Sequence, residues 1–245
     1  MLAVSATRFD AADPLSALEV GERPEPDVPD GWVLVDLKAV ALNHHDLWSL
    51  QGVGLREEEL PMILGCDGAG TDPDGNEVVV HAVVGDPDAG GGDETLDPRR
   101  SLLSERHPGT LAERVAVPRR NLVAKPESMT FEEAACLPTA YLTAYRMLFT
   151  RGGLRPGDTV LVQGAGGGVA TALVLLARAA GLRVWVTSRD DDKANRALGI
   201  GAHQAFESGA RLPEKVDAVM ETVGAATWKH SQRSLRPGGT LVVAG

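Results

Sequence analysis

The chain has 245 residues, 43% of them hydrophobic and only 4% aromatic, enough to bury a sizeable core in one large domain or two ordinary ones. A formal net charge of -10, from 34 acidic against 24 basic residues, with no long basic run, argues against nucleic acid or an anionic membrane as the main partner. The N-terminal MLAVSATRFDAADP is too poor in apolar residues for a signal sequence, no run approaches membrane-spanning length, and the two cysteines, Cys66 and Cys136, fit neither a disulfide framework nor the usual zinc spacings, so a cytoplasmic protein is expected.

Residues 1–124 read as β-rich. GWVLVDLKAVALN, NEVVVHAVV and LAERVAVP alternate or run apolar between clusters of Gly, Pro and Asp, and no long helical period appears. Residues 86–109, DPDAGGGDETLDPRRSLLSERHPG, are polar and rich in turn formers, which predicts a long surface loop. At Thr130 the pattern changes. Thr130 and Glu133 form a capping box ahead of an alanine-rich helix, interrupted by Pro138 and resumed through LTAYRMLF. After RPGD come VLVQG, VWVTS, a helix over residues 192–198, HQAF, VDAVMETV, a helix near residues 228–235, the turn RPGG and TLVVAG. Five strands separated by helices predict an α/β, doubly wound parallel sheet.

The first βα unit of that sheet reads as a dinucleotide site. The β-branched run Thr159–Val162 is followed at once by Gly164, Gly166, Gly167 and Gly168, with Ala165 between them. An apolar helix starts at about Val169, and Gly181 ends it. Glycine lets backbone approach a pyrophosphate closely, and the helix start offers it free N–H groups and the positive end of a dipole. The spacing departs from GxGxxG, since Ala165, Gly167 and Ala170 hold the three glycine places. The flanking strand, helix and second strand carry the reading instead. Where NAD-binding units place an acid for the ribose hydroxyls, this chain has Ser188 and Arg189, with Lys193 one turn on. These groups suit a phosphate, so NADP(H) is expected over NAD(H). Asp190, Asp191 and Asp192 fit the first turn of the next helix, where negative charge is favoured.

Five segments in order, ALNHHDLW, PMILGCDGAG, LPTAYLTAYRML, VDAVMETVG and LRPGGTLVVAG, resemble the medium-chain dehydrogenase/reductase superfamily and, within it, its zinc-free quinone oxidoreductase-like branch. The resemblance implies a GroES-like β-barrel catalytic domain over residues 1–124 and an NADP(H)-binding Rossmann domain over 125–245, with the active site in the cleft between them and hydride transfer from a nicotinamide. It also implies a sixth sheet strand and a returning segment beyond Gly245, so a truncated sequence is expected, unstable or self-associating by itself, and a homodimer for the full-length form.

In zinc-dependent members of this superfamily a Cys, a His and a second Cys hold the metal; the resemblance puts those positions at Asn43, Cys66 and Thr139. Asn and Thr are poor zinc ligands, the four-cysteine structural loop is absent, and no bound metal is expected unless His44, His45 or Asp67 joins Cys66. Cys66 reads as a small buried hydrophobe. Reduction of an enone or quinone needs less charge stabilisation than reduction of a saturated carbonyl. For it, Asn43 is a candidate amide donor to substrate or nicotinamide. Thr143 matches the family threonine beside the nicotinamide ring. His45, at the family's hydroxyl relay position, is the candidate proton donor. Trp48, Leu50 and Tyr141 suggest an apolar cleft for a small-molecule substrate. The alternatives are a zinc-type alcohol dehydrogenase with atypical ligands and a non-catalytic NADPH-binding protein.

Overall fold

The computed structural model describes residues 1–244, which divide into two compact units, Met1–Thr139 and the remainder from Ala140. In the first unit the chain runs β1 (Leu2–Ala6), β2 (Leu18–Glu22), β3 (Trp32–Ala41), α1 (His44–Leu50), β4 (Met62–Ile63), β5 (Asp67–Thr71), β6 (Glu77–Val80), β7 (Val83–Val84), β8 (Ser101–Leu102), β9 (Arg114–Pro118), β10 (Leu122–Ala124) and α2 (Phe131–Ala135). A five-stranded antiparallel sheet in the order β10-β6-β5-β3-β9 is its backbone, accompanied by the sheet β2-β1-β4 and the pair β7-β8. Alternation along β3 sends Val33 and Val35 inward against Val78, Val80, Val115 and Val117, and Cys66 completes that cluster.

The contact boundary falls later than residue 124 because α2 packs on this first unit. Its Ala134 and Ala135 are fully buried against Ala69 and Val79. The Thr130 hydroxyl accepts the Glu133 N–H at 3.2 Å while the Glu133 carboxylate accepts the Thr130 N–H at 3.0 Å, the reciprocal cap expected from the sequence. The segment 86–109 differs from its expectation as surface loop. Asp97, Leu103 and Ser104 are 3%, 0% and 0% exposed. Leu103 enters the valine cluster, and Asp97 accepts the Asp86 and Arg99 N–H groups, so the polar composition folds partly inward around one leucine and one satisfied carboxylate.

The helix after α2 widens into a π turn over Leu137–Tyr141, tightens as α3 (Leu142–Tyr145) and widens again over Arg146–Arg151. Pro138 has no N–H to give, and the Thr139 N–H goes to the Asp67 carboxylate, so two consecutive donors leave the helical ladder. The second unit continues β11 (Thr159–Val162), α4 (Gly168–Ala179), β12 (Arg183–Ser188), α5 (Asp191–Gly199), β13 (Gln204–Glu207), β14 (Val216–Glu221), α6 (Trp228–Ser234) and β15 (Leu235–Val243). Its five strands are parallel in the order β13-β12-β11-β14-β15, the doubly wound sheet predicted. Val160, Leu161, Val162, Val184, Trp185, Val186 and Met220 are at most 1% exposed, as strands covered by helices on both faces require. Ala170, Leu173, Val174 and Ala177 form the buried stripe of α4 at helical spacing. The RPGG segment, expected as a turn, lies inside β15, and the irregular register beside Val216 and Ala218 absorbs it. Strand order reverses between β11 and β14, the place where open α/β sheets bind ligands. Among the described residues no helix is long and apolar enough to cross a membrane.

Candidate functional site

At that reversal, in the second unit, a cavity of about 520 Å³ is lined by Gly164, Ala165, Thr187, Ser188, Arg189, Asp190, Lys193, Ser208, Val223 and Thr227. The chain leaves β11 through Gly164 at φ +74 and Gly166 at φ +105. A Cβ at Gly164 would meet Val223 Cγ2 at 2.5 Å, so that position needs glycine for conformation and for space, whereas Gly166, whose nearest neighbour is the flexible Lys193 side chain, needs it for its positive φ. Gly166, Gly167 and Gly168 are exposed and Val169 half-buried; they continue the turn into α4 without lining the cavity. Thr171 donates the first bond of α4 to the Gly167 carbonyl at 2.9 Å, which leaves the amides of residues 168–170 at the open helix start. Ala165 donates its N–H to the Thr187 carbonyl at 2.8 Å and so ties the turn to β12.

At the end of β12 the predicted residues divide in role. The Ser188 hydroxyl donates to the Asp190 carbonyl at 2.8 Å and accepts the Asp190 N–H at 3.1 Å, which turns it into the strand-to-helix connection. Asp190 caps α5 by accepting the Lys193 N–H at 3.0 Å. Arg189 and Lys193 are exposed side chains in the cavity lining. Thr143 lies half-buried in α3 and does not line the cavity. Thr187, Ser208, Val223 and Thr227 carried no signal in the sequence, because small polar residues and a lone valine acquire meaning only when three strand ends converge.

A second cluster sits in the first unit. Asp67 at the start of β5 is 1% exposed. It accepts the Asn43 amide N–H at 3.0 Å on one oxygen, and the Thr139 N–H at 2.9 Å and hydroxyl at 2.6 Å on the other. Burial raises its carboxyl above the ordinary value, and the bonds from Thr139 and Asn43 pull against that rise. Asp46, buried in the first turn of α1, accepts the Asn43 N–H at 2.8 Å and the Gly65 N–H at 3.1 Å. His45 Nε2 meets Glu105 at 2.9 Å and its Nδ1 lies 3.5 Å from Cys66 Sγ. The Cys66 thiol, 2% exposed, is pushed up by burial and by the charges of Asp46, Asp67 and Glu105. Leu50, expected against a substrate, is 1% exposed and packs with Ala6, Ala17, Leu55, Met62 and Leu64 on the inward face of α1. Trp48 is on the exposed side of that helix, and Tyr141 packs against the core of the second unit.

Residues 29–127 match the alcohol dehydrogenase GroES-like domain family, and residues 168–245 match the zinc-binding dehydrogenase family. The synaptic vesicle membrane protein VAT-1 homolog of Rattus norvegicus is 34% identical over 224 residues, 88% of this chain and 52% of the relative. The crystal structure of an NAD-dependent alcohol dehydrogenase, 34% identical, superposes with a TM-score of 0.91 over 100% of this chain and 77% of that one. The chain belongs to the medium-chain dehydrogenase/reductase superfamily. The quinone oxidoreductase of Thermus thermophilus, solved also as its complex with NADPH, is 34% identical with a TM-score of 0.79 over 99% of this chain and 73% of that one. The chain spans about half the length of the first curated relatives it matches.

Within this superfamily, the zinc positions implied by the resemblance are Asn43, Cys66 and Thr139, and the donor set here does not fit the metal. Asn43 and Thr139 are bound to Asp67 as donors, and the remaining thiol is sealed in a valine-lined core. Among the described residues no group of three or more His, Cys, Asp or Glu side chains is arranged to hold a metal ion. The dinucleotide that the superfamily's fold implies does fit. The cavity is lined by Gly164 and Ala165 of the glycine turn that leads to the open start of α4, by two cationic side chains, and by no carboxylate free of a structural role at the end of β12.

Proposed function

We infer that this chain carries an NADPH-dependent, zinc-independent reductase of quinones or α,β-unsaturated carbonyl compounds. The observation that carries the cofactor half is Arg189 and Lys193 in the cavity lining while Asp190 is held as the α5 cap. The guanidinium fork and the ammonium suit the phosphate that distinguishes NADP(H), and a ribose-binding acid is missing from its usual place. The amides of residues 168–170 would hold the pyrophosphate. The complex of the Thermus quinone oxidoreductase with NADPH supports this choice by likeness.

The acceptor half rests on Asn43. Its amide donates one N–H to Asp67, which fixes the side chain and leaves the second N–H for a substrate carbonyl oxygen. A nicotinamide bound there would supply a hydride for the β-carbon of an enone or for the quinone ring. Charge then spreads onto the carbonyl oxygen, where an amide donor suffices, whereas a saturated ketone concentrates it into an alkoxide that calls for stronger stabilisation. A proton delivered to the α-carbon, or to the quinone oxygen, completes the two-electron reduction. His45, whose ring is held by Glu105 on Nε2 at 2.9 Å, is the group we assign to that delivery.

The test is NADPH oxidation by the purified chain with benzoquinone, cyclohexenone and cyclohexanone. Turnover with the first two, far above that with the saturated ketone, is the expected result. Efficient reduction of NAD⁺ by a simple alcohol would replace this reading with the alcohol dehydrogenase one.

A further inference from the structure

Glu221, at the end of β14, is fully buried and has no basic partner among the described residues. Four donors from four residues converge on it instead. One oxygen accepts the Val223 N–H at 2.8 Å and the Gly224 N–H at 3.0 Å, the Thr227 hydroxyl lies 2.8 Å from both oxygens, and the Ser231 hydroxyl donates to the second at 2.5 Å. Burial pushes its carboxyl up, and these donors outweigh it and hold the group below the ordinary carboxylate value.

From Ser231 a chain of forced choices runs to the glycine turn. Its single proton goes to Glu221, so its oxygen accepts from Gln163 Nε2 at 2.8 Å. The second Nε2 hydrogen goes to His230 Nδ1 at 2.9 Å, and His230 Nε2 donates to the Ala210 carbonyl at 2.8 Å. Gln163 therefore turns its oxygen toward Thr187, whose hydroxyl donates to it at 2.6 Å and accepts the Gly164 N–H at 3.2 Å. Gln163, Thr187 and Ser231 are 0%, 1% and 0% exposed. Every donor in the line from Gly164 to Glu221 points toward the carboxylate, an arrangement in which each bond polarises the next. Gly164 and Thr187 form one wall of the cavity and Val223 and Thr227 another, so one anion ties both walls.

We propose that Glu221 is a positioning residue for the nucleotide site: through Ser231, Gln163 and Thr187 it orients the Gly164 peptide, and through Val223, Gly224 and Thr227 it fixes the facing turn, without itself contacting the nucleotide. The proposal rests on reading the cavity as a dinucleotide site.

Thr187→Val removes the hydroxyl that links Gly164 to the chain at nearly constant volume, Thr187→Ser retains it, and Ser231→Ala cuts the chain at a residue outside the cavity lining. Three readouts are needed: hydrogen exchange of the Gly164 amide in the free protein, NADPH affinity by fluorescence titration, and the unfolding midpoint. In Thr187→Val and Ser231→Ala, Gly164 exchange should quicken and NADPH affinity fall, each roughly tenfold, the loss of about one hydrogen bond. Thr187→Ser should restore both to near the wild-type values, a rescue that general destabilisation does not give. Should Thr187→Val fail to fold, Ser231→Ala with the Thr187→Ser control carries the same comparison. Wild-type exchange and affinity in folded Thr187→Val or Ser231→Ala would overturn the proposal while leaving the cavity reading intact. Failure of the wild type to bind either dinucleotide would overturn the cavity reading, and the proposal with it.

Discussion

Asp190 accepts the backbone N–H of Lys193 at 3.0 Å, and this contact decides what the end of β12 presents to the cavity. A carboxylate two residues past the strand would otherwise be a candidate partner for ribose hydroxyls. Drawn into the cap, it satisfies a helix amide, so the cavity lining sets the Arg189 guanidinium and the Lys193 ammonium beside a carboxylate already engaged by the helix.

NADPH should therefore bind more tightly than NADH, and Arg189→Ala should cut that preference by roughly tenfold to a hundredfold through loss of charge-assisted bonds. Parallel titrations of wild type and variant with both cofactors measure it. Equal affinities in the wild type, or tighter NADH, would defeat the assignment.

Asp67 gives a pH-dependent stability. Its folded carboxyl titrates above the ordinary value of 3.8, so between those two values the native state binds more protons than the unfolded chain. Its contribution is then complete below the unfolded value and is lost as pH rises through the folded one. Asp67→Asn should remove this slope while costing about 1–3 kcal/mol, because the new amide sets a donor against one of the Asn43 and Thr139 donors. Urea midpoints of wild type and variant across the acid range check both; parallel slopes would contradict the account.

Zinc should be substoichiometric in the purified protein, and a chelator should leave turnover unchanged, since Asn43 and Thr139 are engaged as donors to Asp67. Elemental analysis before and after chelation is the measurement. One zinc per chain, lost together with activity, would support the alcohol dehydrogenase alternative.

Turnover on enones should fall on the order of a hundredfold in His45→Gln with little change in NADPH affinity. Glu105→Gln should lower turnover by a smaller factor, because the carboxylate 2.9 Å from Nε2 holds the ring in place. Steady-state rates of both variants show this. A variant with wild-type turnover would take His45 out of the proton path.

Strand and helix identity in the second unit was legible in the sequence because each strand there is a short apolar run and each helix has its own start and stop. Thr159–Val162, the glycines after it and the cap at Thr130 follow from local chemistry, which needs no partner to be read. The five segments from ALNHHDLW to LRPGGTLVVAG carried the family in the same way. That Arg189 and Lys193 follow the end of a strand was legible too, since the apolar run before them marks where β12 stops.

Other features depended on pairs distant in sequence. Leu103 is buried although its segment is polar, because one leucine reaches the valine cluster across the sheet. Asn43 and Thr139 lie 24 and 72 residues from Asp67 along the chain, and only folding shows that the carboxylate occupies both as donors. Leu50 looked like a substrate contact until the turn of α1 placed it inward. Gln163, Thr187, Glu221 and Ser231 each lack a motif. Their meaning is a direction of hydrogen bonding, fixed when three strands and one helix exclude water and leave each hydroxyl proton a single acceptor. Local backbone and periodic burial are thus written in the sequence, whereas long-range pairing of buried polar groups is decided by the tertiary structure, which alone removes the competing water.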